Sequence, residues 1–146
     1  MGLEANLWKI NVKKKVSVAE MEDILKKIEF QKKGNGGYEL ISKEGIIEII
    51  FSSKDGIVEV LSVRECVINP PTVINLLFKK LEELKEYFDF VIFDIEEEKA
   101  VSLSELKEYE ELFIKRKNKF LGNRKIEDKP ISCSEVWSYI KEKIAR

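Results

Sequence analysis

Hydrophobic and polar positions change period along this chain, and the changes mark out its elements. Over residues 4–12, Trp8, Ile10 and Val12 fall at alternate positions, the pattern of a half-buried strand. Ser17 and, three residues on, Glu20 form a capping box. Met21, Ile24, Leu25 and Ile28 then recur at helical spacing. Gly34-Asn35-Gly36-Gly37 tolerates positive φ and predicts a turn. Strands are expected over Tyr38–Ser42, 46–52 and 57–64, joined by Lys43-Glu44-Gly45 and by Asp55-Gly56, the latter a strong hairpin signal. On the last of these, Ile57, Glu59, Leu61 and Val63 share one face.

In Asn69-Pro70-Pro71, Asn69 is the expected N-cap and Pro70 the first position of a helix running to about Phe88. Residues 88–95 are apolar on both faces apart from Asp89 and Asp94, which predicts a central strand covered on both sides, or on one side plus a partner. Ser102 with Glu105, and Ser132 with Glu135, are two further capping boxes. The first opens a helix that Gly122 stops, and the second opens the last helix, with Ile131 and Val136 placed as a hydrophobic staple. Between them, residues 122–131 are polar and read as a linker. The predicted order is β-α-β-β-β-α-β-α-α. Its local hairpins imply an α+β fold, a mainly antiparallel sheet with helices packed on it, in a single domain over residues 1–146.

Composition agrees with a folded domain. Hydrophobic residues make up 44% of the 146 positions, enough apolar surface to oppose the entropy of ordering. Charged residues reach 36% but the net charge is only −1, so no global field attracts nucleic acid or an anionic membrane. The two cysteines, Cys66 and Cys133, form no C-x-x-C pair, and no apolar run approaches the ~20 residues that span a bilayer. The N-terminal residues show no basic stretch followed by an apolar one. A cytoplasmic protein with reduced thiols and no membrane partner is expected.

The chain has no histidine, which removes Ser-His-Asp and Cys-His arrangements and the usual zinc ligand sets. No glycine-rich phosphate loop opens a helix. Lys32-Lys33-Gly34-Asn35-Gly36-Gly37 reads as a hairpin turn with solvated lysines rather than a phosphate nest. No cofactor and no metal are expected. Asp94 followed by Glu97-Glu98-Lys99 superficially resembles metal-dependent nucleases of the PD-(D/E)xK type, over residues 94–99 alone. That resemblance implies a hydrolase or nuclease whose carboxylates around Asp94 hold Mg²⁺. In that family the acid-x-Lys element lies on a strand, whereas here it is expected in the turn leading to Ser102.

Charge separates late in the chain. Asp94, Glu96, Glu97, Glu98, Glu105 and Glu108 make an acidic stretch. Lys115, Arg116, Lys117, Lys119, Arg124 and Lys125 make a basic one. Acids early and bases late on one helix complement its dipole. The functional expectation is a non-catalytic intracellular protein-binding module: an inhibitor, an immunity-type protein or a small complex subunit. Its six acids would dock a basic partner protein, with Asp94 emerging to solvent at the end of its strand. The alternatives are the metal-dependent hydrolase around Asp94 and, more weakly, nucleic-acid binding through residues 115–125, which the near-zero net charge disfavours.

Overall fold

The computed structural model describes residues 4–34 and 36–144. Asn35 of the expected glycine-rich turn, and Met1 to Leu3 of the N-terminal stretch, lie outside them. The strands are β1 (Ala5–Val12), β2 (Gln31–Lys32), β3 (Tyr38–Ser42), β4 (Gly45–Lys54), β5 (Ile57–Cys66), β6 (Phe90–Asp94) and β7 (Lys99–Val101). The helices are α1 (Val18–Lys27), α2 (Thr72–Lys85), α3 (Leu106–Leu121) and α4 (Val136–Ile144). Single 3₁₀ turns, Leu103–Glu105 and Cys133–Glu135, lead into α3 and α4.

One seven-stranded sheet runs in the order β2-β3-β4-β5-β1-β6-β7, and every neighbouring pair is antiparallel. The four helices pack on it. This is the α+β architecture that the hairpin signals imply, with β2 and β7 added at the edges. Asp55 and Gly56, both at positive φ, turn β4 into β5 as expected.

Register sorts the side chains onto two faces. Trp8 lies opposite Val63 on β5 and opposite Asp94 on β6, and Val63 lies opposite Ile49 on β4. This inner face is buried, and the helices cover it. Trp8 meets Phe78 of α2 edge-on and Tyr109 of α3 at 5.2 Å between ring centroids. Met21 and Leu25 of α1, Leu77 of α2 and Phe113 of α3 complete the same core. Each such side chain contributes roughly 1.5–3 kcal/mol by leaving water.

Three local expectations are corrected. Asn69 does not cap α2, which starts at Thr72 with Pro71 at the cap position. Its side chain is instead fully buried. It accepts from the N–H groups of Ile46 and Ile131 at 2.9 and 3.0 Å and donates to the carbonyls of Cys66 and Ile131 at 2.8 and 3.0 Å. An amide has both donors and acceptors, so it satisfies buried backbone groups that no strand or helix reaches. Residues 122–131 are not a free linker. The Lys129 N–H donates to Ile68 O at 3.1 Å, and Ile131 is buried. Ser132 makes no cap bond to the backbone, because its hydroxyl donates to the Glu135 carboxylate at 2.9 Å. The boxes at Ser17 and Ser102 both form.

Gly45 is required sterically. It sits at φ +144°, and a Cβ there would lie 2.4 Å from Cγ2 of Val73. Among the described residues, no helix is long and apolar enough to cross a membrane.

Candidate functional site: a sealed polar cluster and an exposed sheet face

On the inner face, the register that pairs Asn6 with Glu65 and Trp8 with Asp94 brings polar groups from β1, β5 and β6 together under α3. Asn6, Glu65, Asp94 and Arg116 are all buried there. Arg116 of α3 joins them. Its Nη1 donates to Asn6 Oδ1, and its Nη2 donates to both oxygens of Asp94 at 3.2 and 3.1 Å. Its Nε lies 2.8 Å from a Glu96 oxygen, and Nη2 lies 3.6 Å from Glu97. Asn6 then donates to Glu65 Oε1 at 2.7 Å, and Trp8 Nε1 donates to the same oxygen.

Glu65 Oε2 and the Tyr109 hydroxyl are buried without a hydrogen-bond partner among the described residues. Burial pushes the Glu65 carboxyl up to about 7, against the opposing pull of Asn6, Trp8 and Arg116. Burial, and then the Asp94 charge, push the Tyr109 phenol up to about 12. One buried cation thus serves Asp94 directly and leaves Glu65 as a second buried acid that takes up its proton around neutrality.

The sequence-predicted acids divide accordingly. Asp94 is 0% exposed and does not emerge to solvent, which corrects that expectation. The reason is Arg116, whose guanidinium neutralises Asp94 inside the fold. Glu96 and Glu97 reach in to the same guanidinium from the turn after β6, which offsets the mutual repulsion of these clustered carboxylates from within. Glu98 is exposed in that turn at φ +53°. Glu105 accepts from the Ser102 N–H at 2.8 Å as a cap, and Glu108 is exposed on α3. Lys99 is not in the turn leading to Ser102 but opens β7 opposite Asp94.

The basic segment divides too. Arg116 and Lys117 are buried, and Lys117 donates to Asn69 O at 2.7 Å while pairing with Asp128. Arg124 donates to the carbonyls of Phe120 and Leu121 at the end of α3, as the dipole expectation requires. Burial pushes the Cys66 thiol up to about 12 and raises the Cys133 thiol as well, so neither is an activated nucleophile.

The opposite sheet face carries a different surface. Register sets Glu48, Arg64 and Leu7 in one row across β4, β5 and β1, and Ile50, Ser62, Lys9 and Phe93 in the next. The Ile95 N–H donates to Leu7 O at 3.3 Å and extends the first row. A groove of about 440 Å³ crosses these strands, lined by Leu7, Ile50 and Ile95 and by Lys33, Glu48 and Arg64. Ile50 is 61% and Ile41 62% exposed on this face, high values for aliphatic side chains in mid-sheet.

Glu48 anchors one end of the groove. It accepts from the Cys133 N–H at 2.8 Å and from Arg64 Nη2 at 3.2 Å. Burial raises its pKa, but the Cys133 N–H and Arg64 outweigh that effect and hold it below the ordinary value. Lys33 bridges Glu48 and Glu39 at 3.6 and 3.3 Å. Arg64 spends only Nη2, and Lys9 has no charged partner among the described residues.

Sequence reasoning missed Glu65, although the phase of β5 carries it onto the face of Leu61 and Val63. It also missed the groove, because β4 carries apolar residues on both faces and its local pattern does not say which face the helices leave open. The chain matches no protein-family model, no curated protein and no solved structure.

Proposed function

We propose that this chain is a non-catalytic protein-binding module that docks another protein on the exposed face of its sheet. The observation that carries this reading is the groove of about 440 Å³ crossing β4, β5 and β1, with Ile50 held out to solvent beside it. Burying such aliphatic surface against a partner contributes roughly 25 cal/mol per Å². Arg64 and Lys33 at the groove supply polar contacts that fix orientation. An intracellular inhibitor, an immunity-type protein and a small complex subunit are all roles that such a module serves.

The reading gains support from what the reactive groups are doing. Asp94, the centre of the nuclease-like constellation, gives both oxygens to Arg116 in the interior. Arg116 and Lys117, the middle of the basic segment, point into the fold and not toward a phosphate backbone. Of the expected acidic docking residues, Glu98 and Glu108 are the exposed pair with no bond to another described residue. They make the acidic end a lesser surface than the sheet face.

The test compares complexes purified from the source cells with tagged wild type, Ile50→Lys, and a Glu97→Lys/Glu98→Lys double variant. A partner retained by wild type and by the double variant but lost with Ile50→Lys, at unchanged thermal stability, supports docking on the sheet face. Loss with the double variant alone moves the interface to the acidic turn. The same proteins on all three baits, or a metal-dependent phosphodiesterase activity lost with Asp94→Asn, contradicts the reading.

A further inference from the structure

The groove constrains what occupies it, and this inference rests on the protein-binding reading above. Its walls are the β2–β3 end at Lys33 and Gly37, and Ile95 beyond β6. Four inter-strand steps separate them in the order β3-β4-β5-β1-β6. At roughly 4.8 Å per step the groove is ~19 Å long, running across the strands. That is the length of about 12 helical residues, some three turns.

The floor decides between an extended segment and a helix. It is the face of a sheet, whose β4, β5 and β1 backbone groups are already paired with neighbouring strands on both sides. An extended peptide laid there would find no backbone partners and would bury unpaired amides. Strand addition at an edge is also poorly served, because β2 has 2 residues and β7 has 3. A helix satisfies its own backbone and needs only side-chain contacts. Ile50 and Leu7 stand two strand steps apart, about 10 Å, close to two helical turns.

Charge gives the helix its sign. Lys33 is committed to Glu39 and Glu48. Arg64 offers Nε and Nη1 beyond its single bond to Glu48, and Lys9 stands exposed in the adjacent row. The N–H donors left over on this face, Arg64 Nε and Nη1 and the Lys9 ammonium beside the groove, all belong to cations. We propose that the groove seats an amphipathic helix of a partner protein, about three turns long, apolar toward Ile50, Leu7 and Ile95 and presenting a carboxylate to Arg64.

The probes are two synthetic helical peptides of about 16 residues with the same leucine stripe, one flanked by Glu and the other by Lys. Each is titrated to millimolar concentration into ¹⁵N-labelled wild type, Ile50→Lys and Arg64→Glu, while sedimentation reports the protein's own oligomeric state. The Glu-flanked peptide is expected to shift Leu7, Ile50, Arg64 and Ile95, and to bind at least about tenfold more tightly than the Lys-flanked one. Arg64→Glu is expected to reverse that order, and Ile50→Lys to abolish both. Should Ile50→Lys unfold the chain, Ile50→Ser takes its place. An unchanged preference with Arg64→Glu overturns the inference, as do shifts confined to other faces or an Ile50-dependent dimer of this chain. Suppose neither peptide touches the groove but Ile50→Lys still removes the natural partner: the helix is then wrong and protein binding stands. If the natural complex survives Ile50→Lys, docking on this face fails as well.

Discussion

The Arg116 guanidinium grips both oxygens of Asp94, at 3.2 and 3.1 Å, across 22 positions of sequence. The contact ties α3 to the strand pair β1 and β6, and it turns the most suggestive acid of the sequence into an interior strut. Removing one partner leaves the other as an uncompensated buried charge. Arg116→Leu is expected to cost about 3 to 5 kcal/mol in urea unfolding. Arg116→Lys keeps the charge without the fork and is expected to lie between that variant and wild type. Asp94→Leu combined with Arg116→Leu should recover part of the loss. Equal midpoints for wild type and Arg116→Leu would show that the pair is structurally idle.

Glu65 makes stability depend on pH. Its carboxyl titrates near 7 in the fold, above its ordinary 4.5, because it is buried. The folded state therefore holds more protons than the unfolded state between those values. The stabilisation is complete below the unfolded value and is lost as pH rises through about 7. The loss is on the order of 3 kcal/mol at most. Glu65→Gln mimics the protonated acid and is expected to flatten this slope and raise stability above neutrality. Urea midpoints from about pH 5 to about pH 8 test it, and an unchanged slope in Glu65→Gln would assign the pH dependence elsewhere.

Asn69 makes four hydrogen bonds just beyond Glu48 and Arg64, the last pair of the β4–β5 ladder. Asn69→Ala strands the N–H groups of Ile46 and Ile131, at roughly 1–3 kcal/mol each. A total loss of about 3 to 5 kcal/mol is expected, with Ile131 and the start of β4 first to exchange amide hydrogens. Asn69→Asp keeps both acceptances but sets a buried carboxylate oxygen against the carbonyls of Cys66 and Ile131, so it is expected to be no less costly. Wild-type stability in Asn69→Ala would mean that water replaces the amide.

How far the fold was legible follows from the range of the forces involved. Asp55-Gly56, the Ser17 box and the helical stripe of Met21, Ile24 and Leu25 are local signals, and each marks its element. Gln31–Lys32 and Lys99–Val101 are too short to show a period, so β2 and β7 are visible only through their partners. Asn69 reads as a cap by its neighbours and is recruited instead by Ile46 and Ile131. The acidic and basic stretches look like two surfaces because sequence gives no distances. Folding sets Arg116 on Asp94, Glu96 and Glu97, and Lys117 on Asp128. The groove depends on which face of the sheet the helices take, and no local pattern in β4 decides that.

The central claim is that another protein covers the groove face, and lysine labelling of the purified complex tests it most directly. Lys9 and Lys33 belong to that face, while Lys115 and Lys119 are on α3, away from the groove lining. With free protein as reference, binding is predicted to slow modification of Lys9 and Lys33 several-fold and leave Lys115 and Lys119 unchanged. Protection of Lys115 and Lys119 with Lys9 and Lys33 still fully reactive would contradict the account.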